Sequence, residues 1–85
     1  MYRIKWNRRA QKQFAKLSSV KDQQRIIDAV TSLGNFPGVK HITALINHKY
    51  GYRLRVGNYR ILFDVESVIN IIEIQEVKKR DDHTY

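Results

Sequence analysis

Residues 52–63 read YRLRVGNYRILF, and a stretch built this way has few conformations open to it. Tyr52, Leu54 and Val56 alternate with Arg53 and Arg55. After Gly57-Asn58, Tyr59, Ile61 and Phe63 alternate with Arg60 and Leu62. Period-two alternation is the pattern of half-buried strands. A Gly-Asn pair between two such runs is a hairpin signal, because primed two-residue turns need positive φ. That turn fixes the register. Val56 faces Tyr59, Leu54 faces Ile61 and Tyr52 faces Phe63, which gives one apolar face. On the other face Arg55 falls opposite Arg60, with Arg53 beside them.

Like charges directly opposite one another destabilise a sheet. Two readings are open. The arginines form a solvated outer face whose stems cover apolar neighbours, or they are held together for an anion. Any one arginine fits the first reading. Three on one short hairpin face, with no acid between residues 52 and 63, favour the second.

The length of 85 residues predicts a single domain, residues 1–85, with one small core. No apolar run approaches membrane-spanning length, and the opening MYRIKW lacks a signal-peptide apolar stretch. There are no cysteines, so disulfides and thiolate metal sites are excluded. These features predict a cytoplasmic protein without a membrane partner. The net charge is +8, and it is unevenly placed. Thirteen of the 16 basic residues precede residue 64, with only Asp22 and Asp28 as acids in that stretch. Such a field attracts nucleic acid or an acidic protein.

In chain order, Tyr2, Ile4 and Trp6 alternate with Arg3 and Lys5 as a short strand. Asn7 is placed to cap a helix from Arg8 to Leu17, with Ala10, Phe14 and Leu17 on its apolar side and Arg8, Arg9, Lys12 and Lys16 on its polar side. Ser19 caps a second helix carrying Ile26, Ile27, Val30 and Leu33, with Gly34 and Pro37 ending it. Residues 41–46 fit either a short strand or one helical turn. After the hairpin, Asp64–Ser67 predicts a turn, and Val68 to Val77 a strand rich in isoleucine and valine. The chain ends VKKRDDHTY. The predicted class is α+β: an N-terminal strand and a two-helix hairpin packed on a mainly antiparallel sheet of about four strands, the arginine face open to solvent. His41 and His48 have no partners at metal-ligand spacing, so no metal or cofactor is predicted.

An open face of guanidinium groups can grip a phosphate and stabilise the charge of phosphoryl transfer. RNA brings its own nucleophile, the 2′-hydroxyl. Cleavage then needs only alignment, charge stabilisation and proton transfer. Tyr85 is suited to stacking on a base, and His83 to proton transfer near neutrality.

YRLRVGNYRILF, the hydrophobic strand after it and the terminal VKKRDDHTY together resemble the RelE/ParE superfamily of toxins from type II toxin–antitoxin modules, in its RelE-like branch of mRNA interferases. The resemblance covers essentially the whole chain. It implies a microbial-ribonuclease-like fold and metal-free cleavage of mRNA in the ribosomal A site through a 2′,3′-cyclic phosphate. It implies that Arg55 lies at the position of a proton-accepting lysine, that Arg53 and Arg60 hold the phosphate, that Arg80 assists the leaving oxygen and that Tyr85 orients a base. Lys78 and Lys79 would add to substrate binding, and an acidic antitoxin would wrap and block the toxin. Arginine at position 55 is a poor general base. This leaves the proton acceptor open, with His83 a candidate acid or base.

Two rival readings fit the same residues. A ParE-like protein of the same fold would poison DNA gyrase without nuclease activity. A plain nucleic-acid-binding module would keep the basic face and cut nothing.

Overall fold

The structure, a computed structural model, describes residues 1–80. Strand β1 (Arg3–Trp6) leads into helix α1 (Arg8–Ala15), helix α2 (Val20–Ser32) and a short 3-10 turn (Leu33–Asn35). Strands β2 (Ile42–Ala44), β3 (Tyr52–Val56), β4 (Tyr59–Glu66) and β5 (Ile71–Lys79) follow. They form one five-stranded sheet in the order β1-β5-β4-β3-β2. Only β1 runs parallel to its neighbour, β5; the other pairs are antiparallel.

The helices begin where the predicted caps stand. The Asn7 side chain accepts from the Ala10 amide and that of Ser19 accepts from the Asp22 amide, each satisfying a donor that the first helical turn leaves unpaired. The core lies between the helices and one side of the sheet. It joins Ala10, Ile26, Val30 and Leu33 to Leu54, Val56, Ile61, Phe63, Ile72, Ile74 and Val77. Phe63 is fully buried. Its ring stacks on Tyr52, with centroids 5.4 Å apart, and takes an edge contact from Phe36. Burying a side chain of this size contributes on the order of 1.5–3 kcal/mol.

The hairpin register matches the predicted one pair for pair: Val56 with Tyr59, Arg55 with Arg60, Leu54 with Ile61 and Tyr52 with Phe63. Gly57 has φ +56, the positive value that a primed turn places on its first central residue. The Arg25 guanidinium lies against this turn; a Cβ on Gly57 would come within 3.1 Å of it.

Three differences from the sequence reading have physical causes. Residues 42–44 are a strand, because they pair with β3. Strand β4 runs on to Glu66, and the turn falls at residues 67–70, leaving Val68 and Ile69 94% and 61% exposed. Asn70, with φ 55, ends that turn. Apolar content alone therefore misplaced the start of the last strand. Finally, the β4–β5 ladder shifts register between Leu62 and Phe63, pairing Leu62 with Glu76 but Phe63 with Ile74. Gln75 is the extra residue of a β-bulge. It allows Ile72, Ile74 and Val77 all to reach the core.

Candidate nucleic-acid interface on the outer face

The sheet face turned away from the helices is arranged in rows, because side chains alternate along each strand and pair across strands. The row nearest the Gly57-Asn58 turn reads Arg55, Arg60, Lys78 across β3, β4 and β5. The next reads Arg53, Leu62, Glu76. Beyond β5, the Arg80 amide donates to the Asn58 carbonyl, which holds the chain against the turn. Arg53, Arg55, Arg60 and Arg80, with Tyr59, line a cleft of about 240 Å³. Arg55, Arg60, Lys78 and Arg80 are exposed and Arg53 is half-buried. Of the predicted site residues, these five converge. Lys79 pairs with Tyr59, so the alternation turns it to the helix side. His83 and Tyr85 lie outside the described residues.

The other half of this face is not open. The segment 45–51 folds over it. The Gly51 amide donates to Asp64 Oδ1 at 2.7 Å, and Asp64 Oδ2 accepts from the Gln75 amide at 3.0 Å. Gln75 in turn accepts from the Asn7 side chain at 2.7 Å. Tyr50 is only 6% exposed, and its hydroxyl accepts from Arg9 Nη1 at 3.1 Å. Leu62, 5% exposed, is likewise buried outside the helix-side core. The predicted open face is thus half covered, by a segment whose irregular sequence gave no periodic signal.

Three contributors escaped the sequence reading: Glu76, Tyr50 and Arg9. Glu76 stands between them at the corner of the basic field. Its carboxylate lies 3.9 Å from both Lys78 Nζ and Arg9 Nη1, and Gln13 Nε2 approaches at 3.5 Å. Burial alone would push its pKa up. Hydrogen bonds from Tyr50 and Gln13 and the charges of Lys78 and Arg9 outweigh this and hold it below the usual carboxylate range. The bulge hid it, because strict alternation from Ile72 and Ile74 sends residue 76 to the core. On the helix side, the Tyr59 hydroxyl donates to Asp22 Oδ2 at 2.9 Å. Burial, that bond and the Asp22 charge raise its pKa.

Among the described residues, no group of three or more His, Asp or Glu side chains is placed to hold a metal, and no helix is long and apolar enough to cross a membrane. The cleft offers guanidinium donors suited to a phosphate.

A family model for the ParE toxin of type II toxin–antitoxin systems matches residues 4–83. The chain belongs to this toxin family. No curated protein sequence matches this toxin. Solved structures do. The isolated Escherichia coli RelE toxin superposes with a TM-score of 0.82 at 16% identity, over 99% of this chain and 89% of that one. The archaeal RelE–RelB complex from Pyrococcus horikoshii OT3 gives 0.79 at 23%, over 95% and 97%. The RelBE2 toxin–antitoxin complex of Mycobacterium tuberculosis gives 0.79 at 18%, over 93% and 98%. At these identities the likeness shows the fold alone: an α+β protein with two helices packed on a mixed five-stranded sheet, as in the RelE toxins.

Proposed function

We propose that this toxin is a RelE-like mRNA interferase, an endoribonuclease that works on the ribosome and cuts mRNA in the A site by metal-free attack of the 2′-hydroxyl. The observation that carries the reading is the cleft between Arg53, Arg55, Arg60 and Arg80. Four guanidinium groups around one small space can bind a phosphate and stabilise the charge of its pentacoordinate transition state. Arg53 and Arg60 hold the phosphate, Arg55 stabilises charge and Arg80 serves the leaving oxygen. Lys78 and Lys79 add to the field that draws RNA in. Tyr85 stacks on a base and His83 serves proton transfer. The partner is an acidic antitoxin; the archaeal and mycobacterial relatives are complexes with theirs, and a net charge of +8 suits such a partner. The site of action is the cytoplasm.

The test is translation of a defined mRNA in a purified system, with primer extension to map breaks. Arg60→Ala and toxin treated with EDTA and then dialysed run alongside. Breaks at A-site codons that survive the chelator treatment and vanish in Arg60→Ala support the reading. Intact mRNA with normal translation overturns it.

A second reading, a gyrase poison, is favoured by the matched family, which is that of ParE. It predicts stabilised gyrase–DNA breaks that persist in Arg60→Ala. A binding module without chemistry would show affinity that falls with salt and no product.

A further inference from the structure

The outward side of α1 carries charge that the proposed chemistry does not use. Arg8, Lys12 and Lys16, the last its C-cap, stand four residues apart and all are exposed. With Arg9 and Gln13 they line one shallow cleft of about 380 Å³. This stripe works against the helix that bears it. Like charges four residues apart repel, and cations in a first turn oppose the helix dipole. Arg8 and Arg9 occupy the first turn of α1, which holds no acid. The neighbouring helix follows the ordinary rule: Asp22 sits in the first turn of α2, and Gln24 donates to Asp28 at 3.0 Å. Solubility alone is served by charges of mixed sign, as on α2. Only α1 gives up local stability for an unbroken basic face.

That face is held in fixed register with the arginine cleft. β1 ends at Trp6, opposite Ile74, and α1 takes over as the neighbour of β5. The Val77 amide donates to Gln13 Oε1 at 2.7 Å, and the Asn7 side chain donates to Gln75 Oε1 at 2.7 Å. Arg9 Nη1 and Lys78 Nζ lie 3.9 Å from opposite oxygens of one carboxylate, that of Glu76. Lys78 continues the row of Arg55 and Arg60, so the two basic fields meet over Glu76. Among the described residues, Arg8, Lys12 and Lys16 take part in no ion pair.

The chemistry of the stripe limits what it can hold. Ammonium groups on flexible stems and an exposed guanidinium grip phosphates as charges. Unpaired RNA is bound on aromatic platforms that stack its bases, and the stripe has none. Phe14, the aromatic residue of α1, packs inward against the core and meets Trp6 edge-on, with centroids 5.4 Å apart. Duplex RNA asks for no stacking, because it is recognised by shape and by contacts to its backbone.

We propose that the outer face of α1 docks the toxin on double-helical RNA of the ribosome, through backbone phosphates, while the arginine cleft takes the strand to be cut. The assignment rests on the reading that places this toxin on the ribosome.

The experiment measures binding of the full chain to ribosomes without mRNA, to a free RNA duplex, to a free single-stranded RNA and to polyglutamate. Each is run across a salt series from about 50 to 200 mM. The neutral variant combines Arg8→Gln, Lys12→Gln and Lys16→Gln. A control combines Arg8→Lys, Lys12→Arg and Lys16→Arg, and Lys12→Gln alone serves as the mildest change. The neutral variant should unfold in urea at an unchanged or higher midpoint, since repulsion is relieved. Its affinity for ribosomes and for the duplex should fall at least about tenfold at 0.1 M salt. The slope of log K against log salt should shrink by roughly 2–3, and by about 1 in Lys12→Gln, near one per phosphate contact. The loss on the single strand should be several times smaller, and the control should bind as wild type does. On programmed ribosomes the neutral variant should need at least tenfold more toxin for half-maximal cleavage.

Wild-type affinity and slope on ribosomes overturn the proposal, whatever the free probes do. So does a larger loss on the single strand than on the duplex, which would put α1 on the path of the mRNA. A loss confined to polyglutamate overturns it too, and would mark the stripe as a face for an acidic protein. Wild type that grips ribosomes through α1 and never cuts mRNA would be a different result: it would remove the ribonuclease reading and leave the docking face standing.

Discussion

The two halves of the outer face are built from the same three strands and solve opposite problems. Next to the Gly57-Asn58 turn, Arg55 faces Arg60 and Lys78 follows, with no carboxylate in the row. Toward the other end, Asp64, Gln75 and Asn7 pass hydrogen bonds from the covering segment to the cap of α1, and Tyr50 closes over the surface. The first half sets Arg55 directly against Arg60, a like-charge opposition that costs stability. The second is satisfied nearly atom by atom. The difference teaches where rigidity comes from in a small toxin of this kind. The basic row is anchored on one side by the turn and on the other by a polar brace, so its cations are held by backbone and not by one another.

This contrast can be broken at either half. On the proposed ribonuclease reading, Arg60→Ala should have the largest effect on activity, lowering cleavage by about 10²–10³-fold, the usual loss for one transition-state donor. Its urea midpoint should stay the same or rise, since a like-charge opposition is removed. Tyr50→Ala should do the reverse, lowering stability by roughly 3–5 kcal/mol as a buried aromatic is lost, measured by urea unfolding. Asp64→Ala should cost about 1–3 kcal/mol, because Gly51 and Gln75 lose their acceptor; an unchanged midpoint would dissolve the brace. A pH series separates the sides of the sheet. The raised pKa of Tyr59 makes its contribution full below about pH 10 and lost as pH rises through the higher folded value, a dependence absent in Tyr59→Phe. The lowered pKa of Glu76 makes its contribution present above the ordinary carboxylate value and lost as pH falls through the folded one, a dependence absent in Glu76→Gln. Arg55→Thr should have the smallest effect on stability, a gain of about 0.2–1 kcal/mol.

The open half was legible in the sequence and the covered half was not. The reason is physical. Residues 52–63 carry their own register, since a two-residue turn and strict alternation determine every pair. The caps at Asn7 and Ser19 are equally local. Tyr50 and Arg9 meet across 41 positions, and Asn7 meets Gln75 across 68. Nothing in a local pattern announces such contacts. The hairpin pattern grouped Arg53, Arg55 and Arg60 and the family resemblance added Arg80, but neither pointed to Glu76.

The bulge at Gln75 makes the last strand a counting device. Every side chain after it is addressed by odd or even position relative to that one residue. Were Gln75 to pair opposite Leu62 instead of bulging, every destination after it would invert: Val77 and Lys79 would turn outward, while Glu76, Lys78 and Arg80 would be sent to the interior. Deleting Gln75 would keep them, because Glu76 would then follow Ile74 in strict alternation, and would remove only the bonds that Gln75 makes to Asp64 and Asn7. For the same reason, an aligned relative without the extra residue builds the same surface from a strictly alternating strand.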